Sequence, residues 1–196
     1  MRDDDATRAT WSRAFALRLR VSLSDAGALR MDFDVDNTGS EALSFTFALH
    51  TYFRVRSALH ARVLGLSGTA YLDSLQARTR CTEAADAVVF DKEVDRIYLS
   101  VPSSLQLVDT VAARTFTLET RGLPDAVVWN PWIAKAAAMA DFGAPRVAGS
   151  RLLRVTRSDP QVTRSTRRWC ASRRLRLSAQ SALRLATCGG PDKRSL

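Results

Sequence analysis

Apolar and polar residues alternate one by one over much of the first 120 residues of this chain. From Phe15 to Leu23 every second residue is apolar, and the same pattern returns from Leu29 to Val35. Between the two segments, Asp25-Ala26-Gly27 has the composition of a tight turn. Because the side chains of a strand point alternately to its two faces, this pattern predicts strands with one buried face. We therefore expect an antiparallel hairpin here and no helix.

Further segments with strand character follow, each bounded by Gly, Pro, Ser or Asp. They cover residues 62–66, 87–90, 96–101, 105–109 and 115–120. Many short strands at this spacing are typical of a sandwich or a barrel. One short helix is expected over Ile133–Met139, because that stretch is rich in alanine. The sequence thus predicts an all-β fold, either a sandwich or a barrel.

The net positive charge of the chain comes entirely from its last quarter. Residues 1–150 hold 17 Lys and Arg against 18 Asp and Glu, whereas residues 151–196 hold 12 against Asp159 and Asp192. The basic segment shows no sustained period of two or 3.6, so it offers little apolar surface to offset the entropy lost on ordering. We therefore expect a folded domain over residues 1–148 and a disordered, Arg-rich tail over residues 149–196.

The composition also limits the binding partners and the cellular compartment that we expect for this chain. No apolar run approaches the roughly 20 residues that cross a bilayer, so no membrane partner is expected. Nucleic acid is not expected either, because Trp169 is the only aromatic residue among the arginines of the tail. The three cysteines, Cys81, Cys170 and Cys188, are widely spaced, which indicates neither a disulfide framework nor a metal site. A cytoplasmic monomer fits these features.

One block combines a strand pattern with a residue suited to acid–base chemistry. In residues 44–53 an apolar row, predicted to be core, alternates with a small or hydroxylated row that ends at His50. The second row would form an open floor with an imidazole at its rim, as a site for a polar small molecule needs. A histidine titrates near neutral pH, which suits an acid role. The alternative is a strand-end histidine that makes one hydrogen bond and has no catalytic role.

Three segments together resemble a known family: residues 44–53, residues 93–98 and the stretch from Gly122 to Trp132 that leads to Met139–Gly143. From about Asp5 to Phe142 the chain resembles the glucose-6-phosphate 1-epimerases, a branch of the aldose 1-epimerase (galactose mutarotase-like) superfamily. The resemblance implies an incomplete galactose mutarotase-like β-sandwich. It also implies an isomerase that interconverts the α and β anomers of a hexose 6-phosphate by ring opening, without a metal or another cofactor.

The resemblance also assigns roles to individual residues. It implies that His50 is the catalytic acid and that Asp95 binds sugar hydroxyls. Ring opening further needs a base at the anomeric hydroxyl. The glutamate that serves the family is expected shortly after the Asp-Phe-Gly block, where this chain has Arg-Leu-Leu-Arg-Val at residues 151–155. The chain as it stands is therefore expected to have little or no activity, and a non-catalytic carbohydrate-binding fragment is the alternative.

Simpler explanations stand beside these assignments. Asp95 could equally be a turn residue or an ion-pair partner of Arg96. Trp129 and Trp132 could stack on a sugar, but large aromatics beside a proline more often close a core, which we favour. His60 is expected at the surface without a role. A one-base frame change is one explanation of the tail, since codons permitted for residues 151–155 can be read in another frame as Val-Cys-Tyr-Glu.

Overall fold

The computed structural model describes residues 1–139, 153–156, 160–163 and 168–179; the Asp-Phe-Gly block (residues 141–143) and most of the predicted tail lie outside these ranges. The two helices are α1 (Asp5–Thr10) and α2 (Trp132–Ala138). The strands are β1 (Phe15–Leu23), β2 (Leu29–Asn37), β3 (Leu43–Thr46), β4 (Thr51–Phe53), β5 (Ala61–Leu64), β6 (Ala70–Asp73), β7 (Thr79–Thr82), β8 (Ala87–Val89), β9 (Val94–Tyr98), β10 (Ser104–Asp109), β11 (Arg114–Arg121), β12 (Ala126–Asn130), β13 (Leu153–Thr156), β14 (Pro160–Thr163) and β15 (Arg168–Ala179).

Two large sheets form the architecture. A seven-stranded sheet has the order β1-β2-β15-β11-β10-β5-β8, and a six-stranded sheet has the order β4-β13-β12-β9-β6-β7. β3 and β14 form a separate pair. The strand pairs of the two large sheets are antiparallel throughout the described ranges. The predicted all-β antiparallel fold is therefore confirmed.

The predicted hairpin is present with the expected register. Phe15 lies opposite Asn37, and the ladder runs without interruption to Leu23 opposite Leu29. Gly27 closes the turn with a φ of 70°, a left-handed conformation that glycine adopts without steric cost. Helix α1, by contrast, is not predicted by the alternation. It begins with a capping box in which Asp4 Oδ1 accepts a hydrogen bond from the Thr7 amide at 2.8 Å.

The main core lies between the two large sheets. Each sheet contributes side chains that are almost fully buried: Val63, Leu107 and Leu118 from the seven-stranded sheet, and Phe53, Tyr98 and Val128 from the six-stranded sheet. A second, smaller cluster contains Phe15, Val35 and Leu43 at the β1 end of the molecule. The two apolar faces thus bury each other, which is the main stabilising term of a sandwich.

Three strands lie where the charge pattern indicates disorder. β13 inserts between β4 and β12, β14 pairs with β3, and β15 runs between β2 and β11 in the seven-stranded sheet. β15 is held because its backbone pairs on both sides and because Ala171 is buried and Leu175 packs against the main core. For these residues the structure therefore differs from the expected tail, while the division at residue 148 stays a prediction.

Candidate active site

The block that carries His50 is not a single strand. β3 ends at Thr46 and β4 begins at Thr51, so that His50 lies exposed directly before β4. The interruption has a topological reason, because β3 pairs with β14 whereas β4 pairs with β13 in the six-stranded sheet. The chain must therefore leave β14 after Thr46 before it can pair with β13 from Thr51 onward. The prediction of one alternating strand within residues 44–53 that ends at His50 is wrong in this respect.

The apolar row Phe45, Phe47 and Leu49 of that block is packed, although none of the three side chains is fully buried. Phe45 packs against the smaller core cluster. Phe47 stacks on Phe33 with ring centroids 4.2 Å apart, and Leu49 is half-buried. This side of the segment thus holds the chain against the protein while His50 stays accessible.

The register of the six-stranded sheet places the candidate residues on one face. Tyr52 lies opposite Arg154, Arg154 opposite Trp129, and Trp129 opposite Asp95. Paired residues of neighbouring strands share a face, and Val128, the neighbour of Trp129, faces the core. Tyr52, Trp129 and Asp95 therefore project from the face turned away from the core. Continuing the alternation of β4 back by two residues from Tyr52 brings His50 to the same side.

Asp95 fits neither of its simpler explanations. It lies in the middle of β9 and not in a turn. It is not the partner of Arg96 either, because Arg96 Nη1 lies 2.9 Å from Glu83 Oε2 on the opposite face of the strand. Within the described parts of the chain, Asp95 takes part in no ion pair. A half-buried carboxylate on a strand, without a cationic partner, has oxygens available to accept hydrogen bonds from a ligand.

A buried polar cluster fixes the strand that carries Asp95. Tyr98 Oη donates to Glu83 Oε2 at 2.6 Å, and the Arg96 guanidinium lies 4.7 Å from the centre of the Tyr71 ring. Burial, together with the hydrogen bond to Glu83, raises the pKa of the Tyr98 hydroxyl, so it remains a neutral donor. These contacts hold one face of β9 in place and thereby orient its other face.

Arg173 ties the His50 segment to the opposite sheet. This residue of β15 is 1% exposed, and its Nη1 donates to Thr51 Oγ1 at 2.7 Å and to the Leu49 carbonyl at 3.5 Å. The two contacts flank His50 in sequence. Burial lowers the pKa of the Arg173 guanidinium to about 10, which still leaves it charged at neutral pH. Sequence reasoning missed Arg173 because its contacts reach across more than 120 residues, from a segment without a period.

Replacing Arg173 by methionine should loosen the segment around His50. Methionine keeps an apolar stem in the core but removes both hydrogen bonds, each worth about 1.5–3 kcal/mol when the donor is charged. We expect faster backbone amide exchange over residues 47–53, measured by hydrogen–deuterium exchange. Arg174→Met is the matched control, since Arg174 is exposed and lies on the other face of β15. Equal protection of these amides in both variants would contradict the assignment.

Trp129, Trp132 and His60 are the other residues for which the sequence predicts a location. Trp132 packs against the main core, as expected for a residue that closes a core, whereas Trp129 is buried at 9% exposure but lies on the opposite face of β12 from the core residue Val128. His60 is exposed, and its Nδ1 lies 3.0 Å from Ser57 Oγ.

The described residues include no group of three or more His, Cys, Asp or Glu side chains able to hold a metal ion. No helix in the described ranges is long and apolar enough to cross a membrane.

Comparison with known proteins places this arrangement in a family. The model of the aldose 1-epimerase family matches residues 1–154, which is most of the chain. The chain belongs to the aldose 1-epimerase family. A protein of Cenchrus ciliaris with the provisional name glucose-6-phosphate 1-epimerase is 47% identical to it over 135 residues, which cover 68% of this chain and 41% of that protein. A similarly named protein of Salmonella typhimurium is 26% identical over 142 residues, or 72% of this chain and 46% of that protein.

Two solved structures have a fold similar to that of this chain. A Salmonella typhimurium protein provisionally described as a mutarotase has a TM-score of 0.80 at 20% identity, over 91% of this chain and 59% of that one. A galactose mutarotase related enzyme from Lactobacillus acidophilus has a TM-score of 0.72 at 12% identity, over 93% of this chain and 67% of that one. The galactose mutarotase-like β-sandwich is therefore confirmed. The chain spans less than half the length of the two relatives compared by sequence above.

Proposed function

We propose that this chain is a carbohydrate mutarotase unit that binds a hexose 6-phosphate and acts on its anomeric centre. The observation that carries the proposal is the shared face of the six-stranded sheet, from which Tyr52, Trp129 and Asp95 project and beside which His50 lies. β4 and β9 are three strand spacings apart, which amounts to about 14 Å. A single sugar ring can lie across the strands between them.

His50 is the proposed general acid. Anomerisation requires that the ring oxygen gain a proton while the anomeric hydroxyl loses one, after which the free aldehyde rotates and the ring closes on its other face. His50 is exposed and lies at a strand end that Arg173 holds from behind. An accessible imidazole can donate its proton to the ring oxygen and regain it on ring closure.

Asp95 is the proposed sugar-binding residue. Its carboxylate would accept hydrogen bonds from ring hydroxyls, and the fixed strand behind it keeps its position constant. The proposed substrate class follows from family membership and from the names of the relatives. No metal or organic cofactor enters the proposal, because proton transfers alone accomplish the reaction.

The position that we propose for the general base is residue 154, and this chain has an arginine there, which cannot serve as a base. β13 inserts between the strands of His50 and Asp95, and its sequence is Leu-Arg-Val-Thr, without a carboxylate. Arginine stays protonated at neutral pH, so it accepts no proton from the anomeric hydroxyl. This observation favours a second candidate function, sugar binding without efficient turnover, which uses the same residues.

Replacing Asp95 by asparagine should weaken the binding of glucose 6-phosphate by about 10- to 100-fold, because hydrogen bonds to a charged acceptor are worth about 1.5–3 kcal/mol. Isothermal titration calorimetry measures the change in Kd. Asp86→Asn is the matched control, since Asp86 is an exposed aspartate outside the proposed site. If Asp95→Asn binds as tightly as the unchanged chain, Asp95 is not a sugar ligand and the proposed site is wrong.

A further inference from the structure

The outer face of the seven-stranded sheet carries a group of arginines on its central strands. The alternation along β15 identifies this face, because Ala171 and Leu175 pack inward whereas Arg174 is exposed. β2, β15, β11 and β10 lie next to one another, and each is paired on both sides. The side chains on this face are therefore held on a fixed backbone, and the register gives their relative positions.

Two of these arginines lie directly opposite each other. Arg30 of β2 pairs with Arg174 of β15, and Arg174 in turn pairs with Glu119 of β11. Arg121, two residues after Glu119 on the same strand, is the diagonal neighbour of Arg174. Arg30, Arg121 and Arg174 form the arginine cluster. Like charges at opposite positions destabilise a sheet, and an anion bound between the cations offsets that effect.

Acidic neighbours neutralise the arginine cluster only in part. Arg30 donates to Asp32 with its Nε and Nη2 at 2.9–3.0 Å, and its Nη1 takes no part in these bonds. Arg174 lies 3.9 Å from Glu119, which is longer than a hydrogen bond. Arg121 is exposed and forms no ion pair within the described parts of the chain. The guanidinium groups of Arg121 and Arg174 thus keep donors that a ligand can use.

The arginine cluster lines one depression in the surface, with a volume of about 460 Å³. Ser103 and Ser104 also line it. Ser104 pairs with Glu119 and therefore projects from the same face, where its hydroxyl can donate a hydrogen bond to an anion. Depressions of this size accommodate small ligands, so a phosphate group with a modest organic substituent fits.

We propose that the arginine cluster binds the phosphate group of a small molecule on the outer face of the seven-stranded sheet. A planar guanidinium donates two parallel hydrogen bonds to phosphate oxygens, and its charge strengthens them. The negative charge of the phosphate also offsets the repulsion between Arg30 and Arg174. This phosphate site is separate from the proposed sugar site, which lies on the outer face of the six-stranded sheet.

A small anion fits this face better than a nucleic acid strand does. Asp32 and Glu119 project from the same face as the arginine cluster, so their carboxylates repel a phosphate backbone that crosses it. A single phosphate group can be held by the arginines without contact to either carboxylate. The chemistry that the site recognises is therefore that of inorganic phosphate and of phosphate monoesters.

Isothermal titration calorimetry of the full chain with inorganic phosphate tests the proposal. Replacing Arg121 and Arg174 together by glutamine should raise the Kd for phosphate at least about tenfold, because the charged donors are lost. Replacing Arg62 and Arg80 together by glutamine is the matched control, since both are exposed arginines outside the cluster. It removes the same charge and should leave the Kd unchanged. Equal Kd values in the two double variants would overturn the proposal.

Thermal unfolding gives a second measurement that also shows whether the variants fold. Phosphate should raise the melting temperature of the unchanged chain and of the control variant, and it should not raise that of the cluster variant. A folded cluster variant that phosphate stabilises as much as the unchanged chain would contradict the assignment.

Two further titrations separate this site from the proposed sugar site and an ester from the free ion. Asp95→Asn should bind inorganic phosphate as the unchanged chain does, because Asp95 lies on the other sheet. Phenyl phosphate should bind the unchanged chain and lose affinity in the cluster variant. Loss of phosphate binding in Asp95→Asn would overturn the proposal of a separate site. Binding of inorganic phosphate without binding of phenyl phosphate would overturn the assignment to a phosphate monoester.

Discussion

Replacing Arg154 by glutamate should raise the rate of glucose 6-phosphate anomerisation by about 10²- to 10⁴-fold, the usual contribution of a positioned general base. Residue 154 lies opposite Tyr52 on one side and Trp129 on the other, so it occupies the row that ends at Asp95. Position 154 therefore shares its register row with Tyr52, Trp129 and the proposed sugar ligand Asp95. Polarimetry of freshly dissolved α-glucose 6-phosphate measures the rate.

The neighbouring position supplies the matched control. Val155 pairs with Thr51 and Val128, so a glutamate at position 155 falls on the register row of Val128 and not on the row of Tyr52, Trp129 and Asp95. That variant should gain no activity, because positions 154 and 155 alternate between the two faces of β13. Adding His50→Ala to Arg154→Glu should return the rate to that of the unchanged chain. A fast Arg154→Glu variant that does not need His50 would show that His50 is not the acid.

The local sequence pattern was enough to predict the elements that are stabilised by residues close to them in the sequence. The hairpin β1–β2 and the short helix α2 follow from alternation, turn residues and alanine content, and the structure has both within a few residues of the predicted bounds. His50 is accessible, as its position in the small, hydroxylated row indicates. In such cases the energetic preference is local, so the sequence of the segment alone carries it.

The sequence pattern was not enough to predict strands whose partner strands lie far away in the sequence. The interruption between β3 and β4 exists because their partners, β14 and β13, come more than 100 residues later. β15 has the composition of a polar tail, but it is held by ladders on both sides, and the register brings Arg173 beneath the His50 segment. Neither the partner nor the register of such a strand can be read from its own residues.

Removing residues 149–196 should lower the melting temperature of the remaining chain by roughly 10 °C or more, given about 2–4 °C for each kcal/mol in a chain of this size. The deletion takes out β13, β14 and β15, and the residues of β15 alone pair with eight positions of β2 and eight of β11. β2 and β11 then each lose a ladder, and the buried Ala171 and Leu175 contacts disappear. Differential scanning calorimetry measures the change.

Two variants isolate the contribution of β15 from that of the rest of the segment. Removing only residues 181–196 keeps β15 and should change the melting temperature little. Gly122→Ala keeps the whole chain but puts a Cβ 2.5 Å from the Cys170 carbonyl, at a φ of 70° that disfavours alanine, so it should destabilise β15 in place. If the long deletion melts at the temperature of the full chain, β15 contributes nothing to folding. The basic segment would then behave as the polar, non-folding tail that its composition indicates, and the seven-stranded sheet would have to close without it.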